Sequence, residues 1–343
     1  MKFVTLCSRT ALKSYKGQEG FCGGVFCHTP DEDFSIDIKM IPEGINTVYV
    51  EFKKIFIDKL LDEMNMLSNK RIIFFSISKQ VDTEAARSYV EYMKYKSKAK
   101  KDFDTETSID RFMHKWITSI EHELVHWACS LAAKGGEYQD DYNSRLQPDR
   151  LLQEELTKYI NVEPGVQVEI LDVGAGPLTI LGKKHHQYEL VINAVDPLGN
   201  FYQQMLKDFD VNAPIQTQTC EVENLTQLFE RNRFDLVFMR NALDHCYDPI
   251  LGINEMINVV KPSSYILLTH IINVGEIESY DGLHQWNFSQ EGDEFIIWNK
   301  DSQTNVTRFF QDIADVRILP PNSYSPNKEL DIHKWITVLI RKK

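Results

Sequence analysis

At 343 residues the chain is long enough for two folding units, and 43% hydrophobic with 26% charged residues is the balance of an ordinary globular protein. A formal charge of −12 opposes the approach of a polyanion, so nucleic acid is not expected as a partner. Six scattered cysteines make no disulfide framework, no segment offers the roughly 18 to 20 apolar residues of a membrane span, and the N-terminus lacks the apolar core of a leader. A cytoplasmic protein with no membrane partner is expected.

Residues 1–105 predict a small α/β accessory module. Thr47–Phe52 and Arg71–Ile77 are β-branched and aromatic and read as strands, and Ile55–Met66 carries apolar residues at helical spacing. The opening Gly17–Gly24 lacks the spacing of a phosphate loop and reads as a surface loop. The basic run Lys94–Lys101 reads as a solvated helix end or linker.

Residues 106–165 predict a helical linker or cover. Phe112, Trp116, Ile120, Leu124, Trp127 and Leu131 recur every three or four residues, an apolar stripe that must pack on something, and Gly135-Gly136 stops the helix. An acidic, aromatic stretch runs from Glu137 to Arg145, and a second helix is expected from Asp149 to Ile160. The first helix also carries His122-Glu-Leu-Val-His126, the spacing of a zinc peptidase with Glu123 as base. The third ligand such a site needs is not evident downstream, so zinc hydrolysis is the lesser alternative.

Residues 166–343 alternate strand and helix. Strands are expected at Val168–Val173, Leu190–Val195, Ile215–Thr219, Phe234–Met239 and Tyr265–His270, with helices at Leu198–Phe209 and Ile250–Val260. That order predicts an α/β fold with a doubly wound, mostly parallel sheet. Phe295–Trp298 and Val306–Phe310 flank a polar turn, and Trp335–Ile340 closes the chain as a last strand in an antiparallel edge pair.

In such a sheet ligands bind beyond the carboxyl ends of the strands, at the switch point after the first strand. That strand runs into Asp172-Val-Gly-Ala-Gly-Pro177, where two glycines let the backbone turn tightly against a ligand. A dinucleotide site would place a third glycine at 179; the residue there is Thr179, which suits a ligand with no diphosphate. The second strand ends at Asp196, placed to accept from ribose hydroxyls. The third ends in Cys220-Glu-Val-Glu-Asn-Leu225, with Glu221 placed for an adenine amino group.

These motifs resemble those of the class I S-adenosylmethionine-dependent methyltransferases. Asp172–Pro177 is similar to the family's first motif, Asp196 to its ribose-binding acid, Cys220–Leu225 to its adenine motif, and Val259-Val-Lys-Pro-Ser-Ser-Tyr265 to the turn before the fifth strand, with Ser263 and Ser264 for the usual glycines. The resemblance implies a Rossmann-like fold and S-adenosyl-L-methionine as cofactor. Its binding residues would be Asp172, Gly174, Ala175, Gly176, Asp196, Pro197, Glu221, Val222, Arg240 and Asn241. It also resembles the bacterial enzymes of polysaccharide or secondary-metabolite pathways.

Methyl transfer to an oxygen or nitrogen needs alignment and, for a hydroxyl, removal of a proton. His245 and His284, with Asp244, are the catalytic candidates; Asp244-His245 capping the next helix is the plainer alternative. Asp244, His245 and Asp248 are a lesser alternative as Mg²⁺ ligands, and no metal is expected. Tyr142, Arg145, His270 and Trp286 are the acceptor candidates. The Gln-Trp-Asn mixture around Trp286 suits a small polar acceptor such as a saccharide. A catalytically silent S-adenosylmethionine-binding subunit is the other reading, and the chain is compatible with a homo-oligomer.

Overall fold

The computed structural model describes residues 3–6, 21–26, 47–51, 53–54, 57–58, 71–75, 83–98, 111–320 and 335–343. The chain divides into two compact units, 1–107 with 123–143 and 204–212, and 108–122 with 144–203 and 213–343. The segment 106–165, expected as one piece, is thus shared out between them.

The first unit holds a parallel sheet in the order β2-β1-β3-β4, formed by β1 (Phe3–Leu6), β2 (Phe21–Phe26), β3 (Thr47–Glu51) and β4 (Arg71–Phe75). The glycine-rich opening, expected as a loop, supplies β2, because Phe21, Val25 and Phe26 give strand character to a run in which the glycines are the minority. Residues 54, 57 and 58 are helical where a helix was expected; the rest of Ile55–Met66 lies outside the described residues. Helix α1 (Thr83–Lys98) takes in most of the basic run, whose last three residues lie outside the description. Val48, Val50, Phe74, Ala86, Tyr89 and Val90 are buried. Phe74 and Tyr89 meet edge to face at 4.7 Å, and Phe209, from a later part of the chain, packs 5.3 Å from Tyr89.

Helix α2 (Arg111–Ala132) buries Leu124, Ala128 and Leu131 along the stripe read from the sequence; the side chains of Phe112 and Trp116 lie outside the described residues. Gly135 ends it with φ 87°, its N–H reaching back to Ser130 O at 2.8 Å. The stretch after it folds as helix α3 (Gln139–Arg145), with Asp140 and Asp141 in the first turn and Arg145 in the last, as the helix dipole favours.

The second unit is built on a seven-stranded sheet in the order β13-β14-β9-β8-β5-β6-β7. Its strands are β5 (Gln167–Val173), β6 (Glu189–Asp196), β7 (Thr217–Thr219), β8 (Phe234–Arg240), β9 (Val260–Ile271), β13 (Ala314–Ile318) and β14 (Trp335–Lys342). The first five are parallel, and β14 runs antiparallel to both β9 and β13. Both faces are buried, so the strands read as continuous apolar runs. Val168, Ile170, Leu236, Phe238 and Leu267 point to one face, Leu171, Val173, Val237, Met239 and Leu268 to the other. The connecting helices are α4 (Glu154–Thr157), α5 (Gly199–Asp208), α6 (Leu225–Leu228), α7 (Pro249–Val259), α8 (Val274–Ile277) and α9 (Val306–Phe309).

Two expectations are corrected here. The helix expected over 149–160 shrinks to α4, because Leu152 N donates to Lys184 O and the chain there runs alongside 183–184. Val306–Phe310 is no strand: Asn305 caps it as α9, its side chain accepting from Arg308 N at 3.0 Å. The hairpin is made instead by β10 (Asn287–Glu291) and β11 (Glu294–Trp298), joined through Gly292 at φ 61° and followed by β12 (Gln303–Asn305). No helix among the described residues is long and apolar enough to cross a membrane.

Candidate active site

Strand β5 pairs with β6 on one side and β8 on the other, so the sheet order reverses at β5 and opens a crevice above its carboxyl end. The loop leaving β5 has Gly174 at φ 67° and Gly176 at φ 62°, a conformation that side chains with a Cβ rarely take. A Cβ on Gly174 would stand 2.4 Å from the Cβ of Ala242, so the missing side chain is what lets this loop lie against the end of β8. Gly174 N and Ala175 N both donate to Val195 O, at 2.9 and 3.1 Å.

Asp196 ends β6 buried, its two oxygens accepting from Gly176 N at 3.2 Å and Leu198 N at 2.9 Å. One carboxylate therefore fixes the glycine loop and the start of α5 together. Pro197 beside it is half-buried. Glu221, after β7, accepts from Asn224 Nδ2 at 2.6 Å and from the Tyr247 hydroxyl at 3.2 Å. Cys220 stands where the family has glycine, and the turn forms without one: Cys220 N donates to Asp196 O at 3.2 Å. Glu223 is occupied elsewhere, accepting from Tyr247 N and Asp248 N, and burial pushes its carboxyl up to about 7.

Two of the expected cofactor residues turn their side chains into the core. Asp172 is 2% exposed, accepts the Thr179 hydroxyl, and is pushed up to about 6 by burial. Thr179, read from the sequence only as a missing glycine, is thus the residue that orients Asp172. The Val222 side chain packs in the core, close enough to α7 that a Cβ on Gly252 would stand 2.9 Å from it; only its backbone remains for a ligand.

At the end of β8 lie Arg240, whose guanidinium stands 5.2 Å from the Trp335 ring centre, and Asn241 at φ 48°. The Oδ1 of Asn241 is buried with no hydrogen-bond partner among the described residues. Then come Asp244 and His245. Asp248, not Asp244, caps α7, accepting from Ile250 N and Leu251 N. That removes Asp248 from the proposed Mg²⁺ set and leaves Asp244 for other work.

The partner Asp244 finds is distant in sequence. His284 Nδ1 lies 2.7 Å from Asp244 Oδ2, and His245 Nε2 lies 3.2 Å from His284 Nδ1 and 3.5 Å from Asp244 Oδ2. Two bonds clamp the segments that carry them: Gln285 N donates to Asp244 O at 3.0 Å, and Trp286 Nε1 donates to Cys246 O at 2.8 Å. Trp286 is 8% exposed and spends its N–H inside the protein, the place of a core residue rather than of an open acceptor platform. Burial pushes the Asp244 carboxyl up, but the imidazoles of His245 and His284 outweigh this and hold it below the usual range. His270, at the end of β9, is fully buried with neither ring nitrogen bonded among the described residues, and burial pushes it down to about 4. Gln285 is 2% exposed and its side-chain amide also lacks partners among the described residues. Its role was not read from the sequence beyond the polar character of the Gln-Trp-Asn run.

Of the remaining acceptor candidates, Arg145 donates to Leu178 O at 2.9 Å, just after the glycine loop, and Tyr142 is buried in the first unit. The zinc-peptidase motif does not assemble. Glu123 accepts the Trp127 indole N–H at 2.6 Å, and His122 and His126 belong to no group of three donors among the described residues.

Residues 171–268 match the methyltransferase domain family. This segment is a class I methyltransferase domain. Its seven-stranded sheet is the Rossmann-like sheet expected of that class, and S-adenosylmethionine is its cofactor. The chain is similar in structure to phosphoethanolamine N-methyltransferase 2 from Haemonchus contortus, at 11% identity over 100% of this chain and 94% of that one, with a TM-score of 0.41. It is also similar to 1,6-didemethyltoxoflavin-N1-methyltransferase from Burkholderia thailandensis, at 13% identity over 71% and 98%, with a TM-score of 0.39. No curated protein matches the chain.

Proposed function

We propose that this methyltransferase acts on an oxygen or nitrogen of a small polar acceptor, such as a saccharide or sugar-containing metabolite. The observation that carries the reading is the cluster of Asp244, His245 and His284 beyond β8, in the part of the fold where buried polar atoms of Asn241, His270 and Gln285 also lack partners among the described residues. Buried polar groups without partners cost stability, about 1–3 kcal/mol each, and are kept where a ligand completes them. A hydroxyl-bearing acceptor would.

The residues present fit S-adenosylmethionine. The left-handed glycines leave the backbone of 174–176 open to close approach, Asp196 stands at the end of β6 for a ribose, and Glu221 lies at the end of β7 for the adenine. Bound there, the cofactor supplies an electrophilic methyl group. The protein's part is to hold the acceptor in line and take its proton. His245 Nε2 and His284 Nδ1 face one another across the Asp244 carboxylate, which orients both rings and stabilises the imidazolium formed when either accepts a proton.

Calorimetry with S-adenosylhomocysteine, followed by an acceptor screen using labelled S-adenosylmethionine, tests this. Asp196→Ala is expected to weaken S-adenosylhomocysteine at least about a hundredfold, from the loss of two loop-fixing bonds and the ribose contact. No binding to the unaltered protein at millimolar ligand would sink the reading.

A further inference from the structure

We propose that Asp244, His245 and His284 together bind one divalent transition-metal ion. The proposal deepens the functional reading, on which it rests for the acceptor's place beside these residues, but its geometric basis is independent.

The three donor atoms, Asp244 Oδ2, His245 Nε2 and His284 Nδ1, form a closed triangle with sides of 2.7, 3.2 and 3.5 Å. An ion with tetrahedral bonds of about 2.0–2.1 Å holds its ligand atoms about 3.3–3.4 Å apart. Two sides of the triangle already have that size. The third, between His284 Nδ1 and Asp244 Oδ2, is at hydrogen-bond length.

A hydrogen-bonded relay alone accounts for the triangle less well. A relay needs a chain, each ring bonded at one nitrogen to the next group. Here all three donors converge on one point, and the two ring nitrogens face each other at 3.2 Å. Only one proton fits between two such nitrogens. A cation at the centre satisfies all three lone pairs at once.

The second, separate observation is Asp244 Oδ1. Asp244 is 0% exposed, yet this oxygen has no hydrogen-bond partner among the described residues. A bound ion takes it as a second ligand oxygen or presents a water to it. The surrounding bonds from Gln285 N to Asp244 O and from Trp286 Nε1 to Cys246 O fix the two donor segments in register, the outer support that metal ligands generally have.

Two imidazoles and one carboxylate select the ion. The set suits Zn²⁺, Fe²⁺, Mn²⁺ or Co²⁺, and is poor for Ca²⁺ or Mg²⁺, which favour oxygen cages. Three protein ligands leave at least one position open, a Lewis-acid contact for the acceptor's oxygen or nitrogen. With an ion bound, the cluster would lower the acceptor's pKa, and the proton would pass to solvent water instead of to a histidine.

The test is equilibrium dialysis of the chelator-stripped full chain against Zn²⁺, with Co²⁺ absorption as a second probe of four-coordinate nitrogen and oxygen ligation. About one equivalent of zinc is expected, with affinity falling at least about tenfold in His284→Ala and in Asp244→Asn. His126→Ala, on the unassembled peptidase motif, is expected to bind as the unaltered chain does. Asp244→Asn keeps the side chain's volume, so a folded His284→Ala is not required; thermal melts confirm which variants are folded. Substoichiometric binding, or zinc retained by folded Asp244→Asn and lost by His126→Ala, overturns the proposal. S-adenosylhomocysteine calorimetry on the same samples separates the two ideas: cofactor binding without zinc leaves the methyltransferase reading standing and removes the ion.

Discussion

At Asp172 burial works against the charge that the Thr179 hydroxyl helps to hold, and burial prevails, pushing the carboxyl up to about 6. The unfolded chain releases this proton near pH 4 and the native state keeps it until about pH 6. Between those values the native state binds more protons, so raising the pH lowers stability, by about 3 kcal/mol from this group once both states are ionised. Asp172→Asn keeps an oxygen to accept from Thr179 and removes the titration. It is expected to be more stable than the parent at pH 7 by up to about 3 kcal/mol, with the gap closing below pH 4. Urea unfolding of the pair at pH 4 and pH 7 measures it; a gap that does not change with pH refutes the assignment. The same residue shows how far the site was legible. The glycine loop, Asp196 and Glu221 could be named as candidates because their chemistry is tied to strand ends, which periodicity locates. That Asp172 faces Thr179 and Val222 faces Gly252 depends on side-chain packing, which spacing does not encode. His284 was singled out for its surroundings, and only the fold brings it to Asp244, 40 residues earlier.

Among the elements, β9 carries a departure from its family that has a measurable cost. Its pairing with β8 slips between Phe234 and Leu236, and the irregularity takes in Pro262 and Ser263, with Ser263 at φ 61°. A residue with a Cβ pays about 1–2 kcal/mol for that conformation. Ser263 is exposed, so Ser263→Gly loses no packing and is expected to gain about 0.5–1 kcal/mol after glycine's added freedom in the unfolded chain. A midpoint of denaturation equal to or below the parent's counts against this. The clamp at Trp286 has the opposite character. Trp286→Phe leaves Cys246 O without its 2.8 Å donor and frees the segment carrying His284. Stability should fall by about 1–3 kcal/mol, and kcat by up to about a hundredfold. The affinity for S-adenosylhomocysteine should hold, since the glycine loop and Asp196 are untouched; a matching loss there would mean that the clamp supports the whole site. The strands β5 to β9 were legible because burial on both faces writes them as apolar runs. α9 was misread because Val306, Phe309 and Phe310 have strand character, while the signal that decided it was a single cap at Asn305.

On the scale of the whole molecule, the sequence suggested an N-terminal accessory module of residues 1–105, and such a module would be expected to come away cleanly. The contacts within the first unit argue otherwise. Residues 204–212 belong to that unit although they follow the first two strands of the methyltransferase sheet. Tyr89 Oη donates to Asp208 Oδ2 at 3.1 Å, Gln204 donates to its other oxygen at 2.8 Å, and Phe209 packs between Tyr89 and Phe74. Asp208 is buried, so deleting Tyr89 leaves a buried carboxylate with fewer donors, and deleting Phe74 with it exposes Phe209. Both lie at the end of α5, the helix whose start is fixed by Asp196 and the glycine loop. A fragment of residues 106–343 is therefore expected to melt well below the full chain, or not to remain soluble, and to bind S-adenosylhomocysteine more weakly. The double change Asp208→Asn with Phe209→Ser, made in the fragment, relieves the buried charge and the exposed ring and should recover part of the solubility. Differential scanning calorimetry of the full chain, the fragment and the repaired fragment decides the matter: a fragment that melts with the parent shows that the N-terminal residues are an appendage, and that 204–212 hold their fold without them.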